Sequence, residues 1–197
     1  MASRFAKKIW VDTETTGTDP QKNSIIELCG IIEIDGKEVE RFDFKVQPYA
    51  GSQIVPEALQ VTGKTESEIQ NYPSQDKVYR EFIKIIEHYV DRYDKADKFE
   101  WFGYNAKFDM DFVREFFNRN LNKYFGSYFW SPPIDVWLLA VYAQREHRAE
   151  FTSTKLWDMA QWYGLDLSKK NAHSAMDDIE VTRELFEKVV SAMKNSA

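Results

Sequence analysis

The stretch Ile9-Trp10-Val11-Asp12-Thr13-Glu14 constrains the chain more than any other. It opens with three large apolar residues that belong in a core and closes on two carboxylates. In a strand, residues two apart share a face, so Trp10, Asp12 and Glu14 point the same way. Such a strand starts inside a sheet and ends at a charged rim. For Asp-x-Glu alone, a solvated strand end ahead of a turn at Gly17 is the simpler reading; the other is a cation held between acids that otherwise repel. An EF-hand calcium loop does not fit. Counted from Asp12, the position that needs a bidentate Glu is Asn23, and the residues before the loop read as strand rather than helix.

The rest of the chain supplies the layers around this strand. Residues 8–12, 25–34 and 39–46 are extended runs, and Asp35-Gly36-Lys37 is a hairpin signal that pairs the last two antiparallel. Pro56 suits a first helical turn, and Thr65-Glu66-Ser67-Glu68 reads as a capped short helix. After Pro73, the residues Tyr79, Phe82, Ile83, Ile86 and Val90 recur at helical spacing. Residues 99–104 return to strand. Helices are expected over 107–120, 136–144, 154–163 and 175–193, with unstructured connections near 122–133 and 145–153. The pattern predicts one α/β domain over residues 1–197, with a mixed central sheet flanked by helices.

Composition narrows the class. With 43% hydrophobic residues over 197 positions, one well-buried core is within reach. No apolar run is long enough for a signal peptide or a membrane span, so a cytoplasmic protein with no membrane partner is expected. The single cysteine, Cys29, lies in the apolar run 25–34 and reads as a small buried hydrophobe. A net charge of −6 argues against coating duplex nucleic acid through a broad basic face, but leaves room for a small cleft around one strand end.

Helical periodicity sorts the remaining acids. Asp109 shares its stripe with Phe112, Val113 and Phe116 and faces the core, whereas Asp111 lines up with Arg114, Glu115 and Asn118 on a solvated face. Likewise Asp178 lines up with Val181, Thr182, Leu185 and Val189, and Asp177 with Glu180 and Glu184. An inward carboxylate needs a partner, because burying it unpaired is costly. Ser174 followed by Asp177 resembles a capping box, which brings His173, just before the cap, close to Asp178. His88 and His147 neighbour no inward acid and read as surface residues.

The motifs VDTETTG, NAKFD and HSAMDD resemble those of the DEDD exonuclease superfamily in its histidine-containing branch. The likeness runs from about residue 9 to 185 in order and spacing. It includes Pro56-Glu-Ala-Leu-Gln-Val-Thr-Gly, similar to a segment of the epsilon-type proofreading exonucleases, while HSAMDDI is more like oligoribonuclease. The resemblance implies a ribonuclease H-like fold and 3′-to-5′ hydrolysis of nucleic acid to nucleoside monophosphates. Asp12, Glu14, Asp109 and Asp178 match the family's metal-binding acids and His173 its general base. Two divalent cations, Mg2+ or Mn2+, suit oxygen-only ligands and clamp both oxygens of an in-line displacement. The backbone and side chains around Thr15 and Thr16 would hold the terminal nucleotide, with Asn105 and Phe108 close by, although core packing explains Phe108 equally well. Lys169 and Lys170 are either phosphate contacts or a solvated pair, and Asp135 supports the site without being a ligand. Tyr128-Phe129-Trp130 is open as a source of stacking aromatics. A DNA 3′ end is preferred to RNA as partner. RNA-directed activity of the oligoribonuclease or ribonuclease T type is the alternative, and a silent nucleic-acid-binding or scaffold module a second. No long tether after the last helix is expected, and either a free-standing enzyme or a short-contact polymerase or replication partner fits.

Overall fold

The apolar start of the first strand is explained by its neighbours on both sides. A computed structural model describes residues 7–171 and 174–195. Its strands are β1 (Lys7–Thr15), β2 (Ile25–Ile34), β3 (Lys37–Lys45), β4 (Glu100–Gly103) and β5 (Ile134–Asp135), in the order β3-β2-β1-β4-β5. β1 and β2 pair antiparallel, as do β2 and β3, whereas β1 with β4 and β4 with β5 are parallel. The mixed sheet expected from the sequence is therefore present, with β1 in the middle. Asp35 and Gly36 form the hairpin turn with φ of 51° and 76°, the left-handed pair that a two-residue hairpin between right-twisted strands needs.

β1 does not stop at Asp12, where its charges suggested an end. It continues to Thr15 because β2 keeps pairing with it, Asp12 opposite Cys29 and Glu14 opposite Glu27, until the register shifts between Glu14 and Thr15. Both acids are thus held in a regular ladder. Gly30 in β2 serves packing: a Cβ there would lie 2.2 Å from Cζ of Phe42.

The helices are α1 (Pro56–Thr62), α2 (Glu66–Ile69), α3 (Gln75–Tyr89), α4 (Ala106–Arg119), α5 (Val136–Ala143), α6 (Leu156–Trp162) and α7 (Ala175–Asn195). Thr65 caps α2 by accepting the Glu68 N–H at 3.2 Å, as its sequence implied. One core lies between the sheet face of Ile9, Val11 and Leu28 and the residues Phe82, Ile86, Val113 and Phe117 of α3 and α4. The other joins Trp10, Cys29 and Ile31 to Ala140 of α5, Met159 of α6, and Ile179, Leu185 and Val189 of α7. Cys29 is fully buried and unpaired. Among the described residues, no helix is long and apolar enough to cross a membrane.

The two connections expected to be unstructured are partly ordered. Each contains a 3-10 turn, Phe125–Ser127 and Arg145–Glu150. In the first, Tyr128 and Phe129 are buried, because the backbone at Phe99 bonds to Tyr128 and Trp130 and extends the sheet there. Core packing excludes both as stacking aromatics for a substrate, and leaves Trp130 as the exposed member of the triplet.

Candidate active site

The chain gathers carboxylates where two layers meet at the C-terminal end of β1. Asp12 and Glu14 stand on the Trp10 face of that strand. Asp109 comes from the first turn of α4, in the opposite layer, and Asp178 from the first turn of α7. Helix N-termini favour negative charge, so both helical acids occupy suitable positions. The inward stripes read from periodicity are the buried ones: Phe112, Val113 and Phe116 beside Asp109, and Val181, Thr182, Leu185 and Val189 beside Asp178. Asp111 pairs with Lys107 on the solvent side. His88 and His147 are exposed. His173, expected beside Asp178, lies outside the described residues.

Asp109 is only 3% exposed and is tied to β1 twice, its Oδ1 accepting the Thr13 N–H at 2.9 Å and the Thr13 hydroxyl at 2.8 Å. Asp178 Oδ1 accepts the Trp157 indole N–H at 2.7 Å. Burial pushes the Asp12 carboxyl well above the usual carboxylate range, reinforced by the charges of Asp109, Glu14, Asp178 and Glu27. Glu14 is raised to about 7, first by burial and then by Glu27, Asp178 and Asp109, with Lys64 pulling the other way. Burial also raises Asp109, opposed by its two bonds from Thr13. Asp12 and Glu14 feel the charges of the other carboxylates, and Asp109 that of Asp135, a repulsion that a multivalent cation would relieve. The donor set is all oxygen, which fits Mg2+ or Mn2+ and not a thiolate-seeking metal.

A second acidic group, Glu27, Cys29 and Asp43, has ligand atoms within 4.8 Å of one another. It already holds a cation, the Lys45 ammonium, 2.5 Å from Glu27 and 3.2 Å from Asp43. Burial pushes the Cys29 thiol up, away from the thiolate that a metal needs.

The residues expected to touch a nucleotide divide. Asn105 is exposed and left-handed (φ 58°), its N–H donating to Asp135 Oδ1 at 3.1 Å. Phe108 is half-buried and packs on Phe112 at 4.9 Å, against the core. Thr16 is fully buried, its hydroxyl donating to the Gln53 carbonyl and accepting from the Ser24 N–H, so its side chain shapes the rim from within. Thr15 is 7% exposed with its hydroxyl on the Gly17 carbonyl, which makes it a brace for the turn. Lys170 is committed to Glu184 at 2.8 Å and Glu180 at 3.3 Å, leaving Lys169 as the exposed member of the pair. Asp177 does not close a capping box on Ser174. Its carboxylate accepts the Asn171 N–H, while the Ser174 N–H donates to the Asn171 carbonyl.

Sequence reasoning missed Thr13, Glu27 and Trp157. Glu27 carried a signal, an acid inside the otherwise apolar run Ile25-Ile26-Glu27-Leu28-Cys29, where it is 8% exposed. Thr13 and Trp157 carried none.

The fold and the gathered acids define an α/β domain with a carboxylate site at the C-terminal end of its central strand. Its fold is similar to that of part of E. coli exonuclease I in a zinc-bound complex with single-stranded DNA, with a TM-score of 0.75 over 96% of this chain and 41% of that one at 22% identity. This is the ribonuclease H-like fold. The chain belongs to the exonuclease family, whose sequence profile matches residues 9–186. Among its relatives, the PolC-type DNA polymerase III of Thermotoga petrophila is 28% identical over 184 residues, 93% of this chain but 12% of that protein. Ribonuclease T of Histophilus somni is 27% identical over 190 residues, 93% of this chain and 83% of that protein. The family uses divalent metal ions.

Proposed function

We propose that this chain is a metal-dependent 3′-to-5′ exonuclease acting on single-stranded DNA or frayed 3′ ends. Asp12, Glu14, Asp109 and Asp178 would hold two divalent cations, Mg2+ or Mn2+. The observation that carries the reading is the approach of these mutually repelling acids, Asp109 buried and the other three half-buried, from three elements to one strand end. When bound, such cations supply Lewis-acid stabilisation of the attacking and leaving oxygens and acidify bound water. His173 takes the proton from the attacking water; imidazole titrates near neutrality and can release it afterwards. The P–O3′ bond of the terminal linkage breaks, freeing a nucleoside 5′-monophosphate and a strand shorter by one. Thr13 keeps Asp109 in place through both its N–H and its hydroxyl, and the exposed Asn105 stands at the rim to meet the terminal nucleotide.

Single-stranded DNA in the exonuclease I complex supports the DNA preference. The near full-length match to ribonuclease T supports an RNA 3′ end as the second reading. The PolC-type relatives make a polymerase partner a further part of the proposal. A silent binding module gives no reason for keeping repelling acids together.

The test is digestion of 5′-labelled single-stranded DNA, frayed duplex and RNA with Mn2+ or Mg2+. A ladder shortening from the 3′ end and abolished by EDTA is expected, strongest on single-stranded DNA. His173→Ala should lower turnover by about 10²–10⁴-fold with metal affinity largely retained. Absence of metal-dependent digestion on all three substrates refutes the proposal.

A further inference from the structure

We propose that Trp157 is a positioning residue for Asp178, and that its indole N–H sets the divalent-metal affinity of the site. The proposal rests on Asp178 being a metal ligand, as given above. Trp157 Nε1 donates to Asp178 Oδ1 at 2.7 Å, a short bond to a charged acceptor. Among the described residues, the indole nitrogens of Trp10, Trp101 and Trp137 are buried without a partner, so a tryptophan in this fold does not find an acceptor by default. Trp157 does, and the acceptor is one of the four gathered acids.

The placement is built from both sides. Trp157 lies in the first turn of α6, whose Met159 and Ala160 are fully buried, with Met159 in the core shared with α7. The segment entering α6 is tethered where Tyr104 donates its hydroxyl to the Thr154 carbonyl at 2.5 Å. Tyr104 precedes Asn105 and the helix carrying Asp109. The backbone that presents Trp157 is therefore fixed to the neighbouring edge of the same site. An indole is a donor only and carries no charge to compete with a cation, so it orients the carboxylate without neutralising it. Fixing Oδ1 sets the plane of the carboxylate and hence where its second oxygen can go. Hydrogen bonds of this type to metal ligands commonly govern affinity.

Trp157→Phe keeps the ring and removes the N–H. Calorimetric titration with Mn2+ should show binding weakened about tenfold. The Mn2+ concentration for half-maximal nuclease activity should rise by a similar factor while turnover at saturating Mn2+ is largely recovered, a split that general damage to the fold would not give. In the unmodified protein, the Trp157 indole N–H resonance should move on titration with Mg2+ while that of Trp101, in the opposite layer, stays. This measurement decides the matter if the variant does not fold. Unchanged Mn2+ affinity in Trp157→Phe, with affinity lost in Asp178→Asn, overturns the positioning role and leaves the metal site standing. Unchanged affinity in both variants overturns the two together, and a Trp157 resonance unmoved by Mg2+ overturns the positioning role.

Discussion

Glu14 shows how a single residue records the purpose of the site. Its carboxyl is raised from 4.5 to about 7, chiefly by burial and then by the neighbouring carboxylates Glu27, Asp178 and Asp109. Between those two values the folded chain binds more protons than the unfolded one, so stability falls as pH rises through the window. Asp12 and Asp109 act in the same direction. The ion-paired acids Glu38, Asp97 and Glu180, whose carboxyls are lowered, act at the other end, and their contribution is lost as pH falls through the acid range. Metal-free protein should therefore melt at a lower temperature at pH 7.5 than at pH 5. Glu14→Gln should reduce that difference and be the more stable protein at pH 7.5, by roughly 1–3 kcal/mol. Thermal melts of both proteins in EDTA across this range check it. Equal stability at pH 7.5 would mean that Glu14 is not under the strain described.

At the scale of elements, Asp135 joins two helix starts. Its Oδ1 caps α5 by accepting the Trp137 N–H at 3.0 Å and accepts the N–H of Asn105, the left-handed residue from which α4 begins. Asp135→Ala should cost about 1 kcal/mol through the lost cap. It should also lower turnover by loosening the turn that sets Asn105 and Asp109, and Asp135→Asn, which keeps an acceptor oxygen, should recover most of both. Melting curves and nuclease rates for the two variants separate the effects. Much at this scale was legible beforehand. The apolar run 25–34 gave β2 its limits, and helical stripes assigned Asp109 and Asp178 to buried faces. What stayed hidden lies between elements: periodicity says which face of a helix is inward, not which group it meets there. Thr13 and Asp109 are 96 positions apart and Trp157 and Asp178 are 21 apart, and only the packing of layers brings each pair together. The same limit explains Thr16, which looked like rim and is held inside by Ser24 and Gln53.

Across the whole molecule, β1 links two layers that each contribute an acid to one end of the sheet. The sheet's hydrogen bonds and two apolar cores hold Asp12, Glu14, Asp109 and Asp178 near one another against their own repulsion. Folding without a cation carries that repulsion, and a cation that binds only the folded arrangement must give stability back. For a metal at 100 times its dissociation constant the gain is about 2.7 kcal/mol. In a chain of this size that corresponds to a rise in melting temperature of roughly 5–10 °C. Mn2+ should produce such a rise at neutral pH and a smaller one at pH 5, where protons compete for the same oxygens. In the doubly neutralised variant Asp12→Asn/Asp178→Asn the metal-free protein should start from a higher melting temperature and gain little from Mn2+. Differential scanning fluorimetry of both proteins over a Mn2+ series at neutral pH and at pH 5 measures each of these shifts. A variant that gains as much from Mn2+ as the original would place the metal elsewhere on the chain, whereas loss of the gain together with a higher starting point would tie the instability and the metal site to the same four carboxylates.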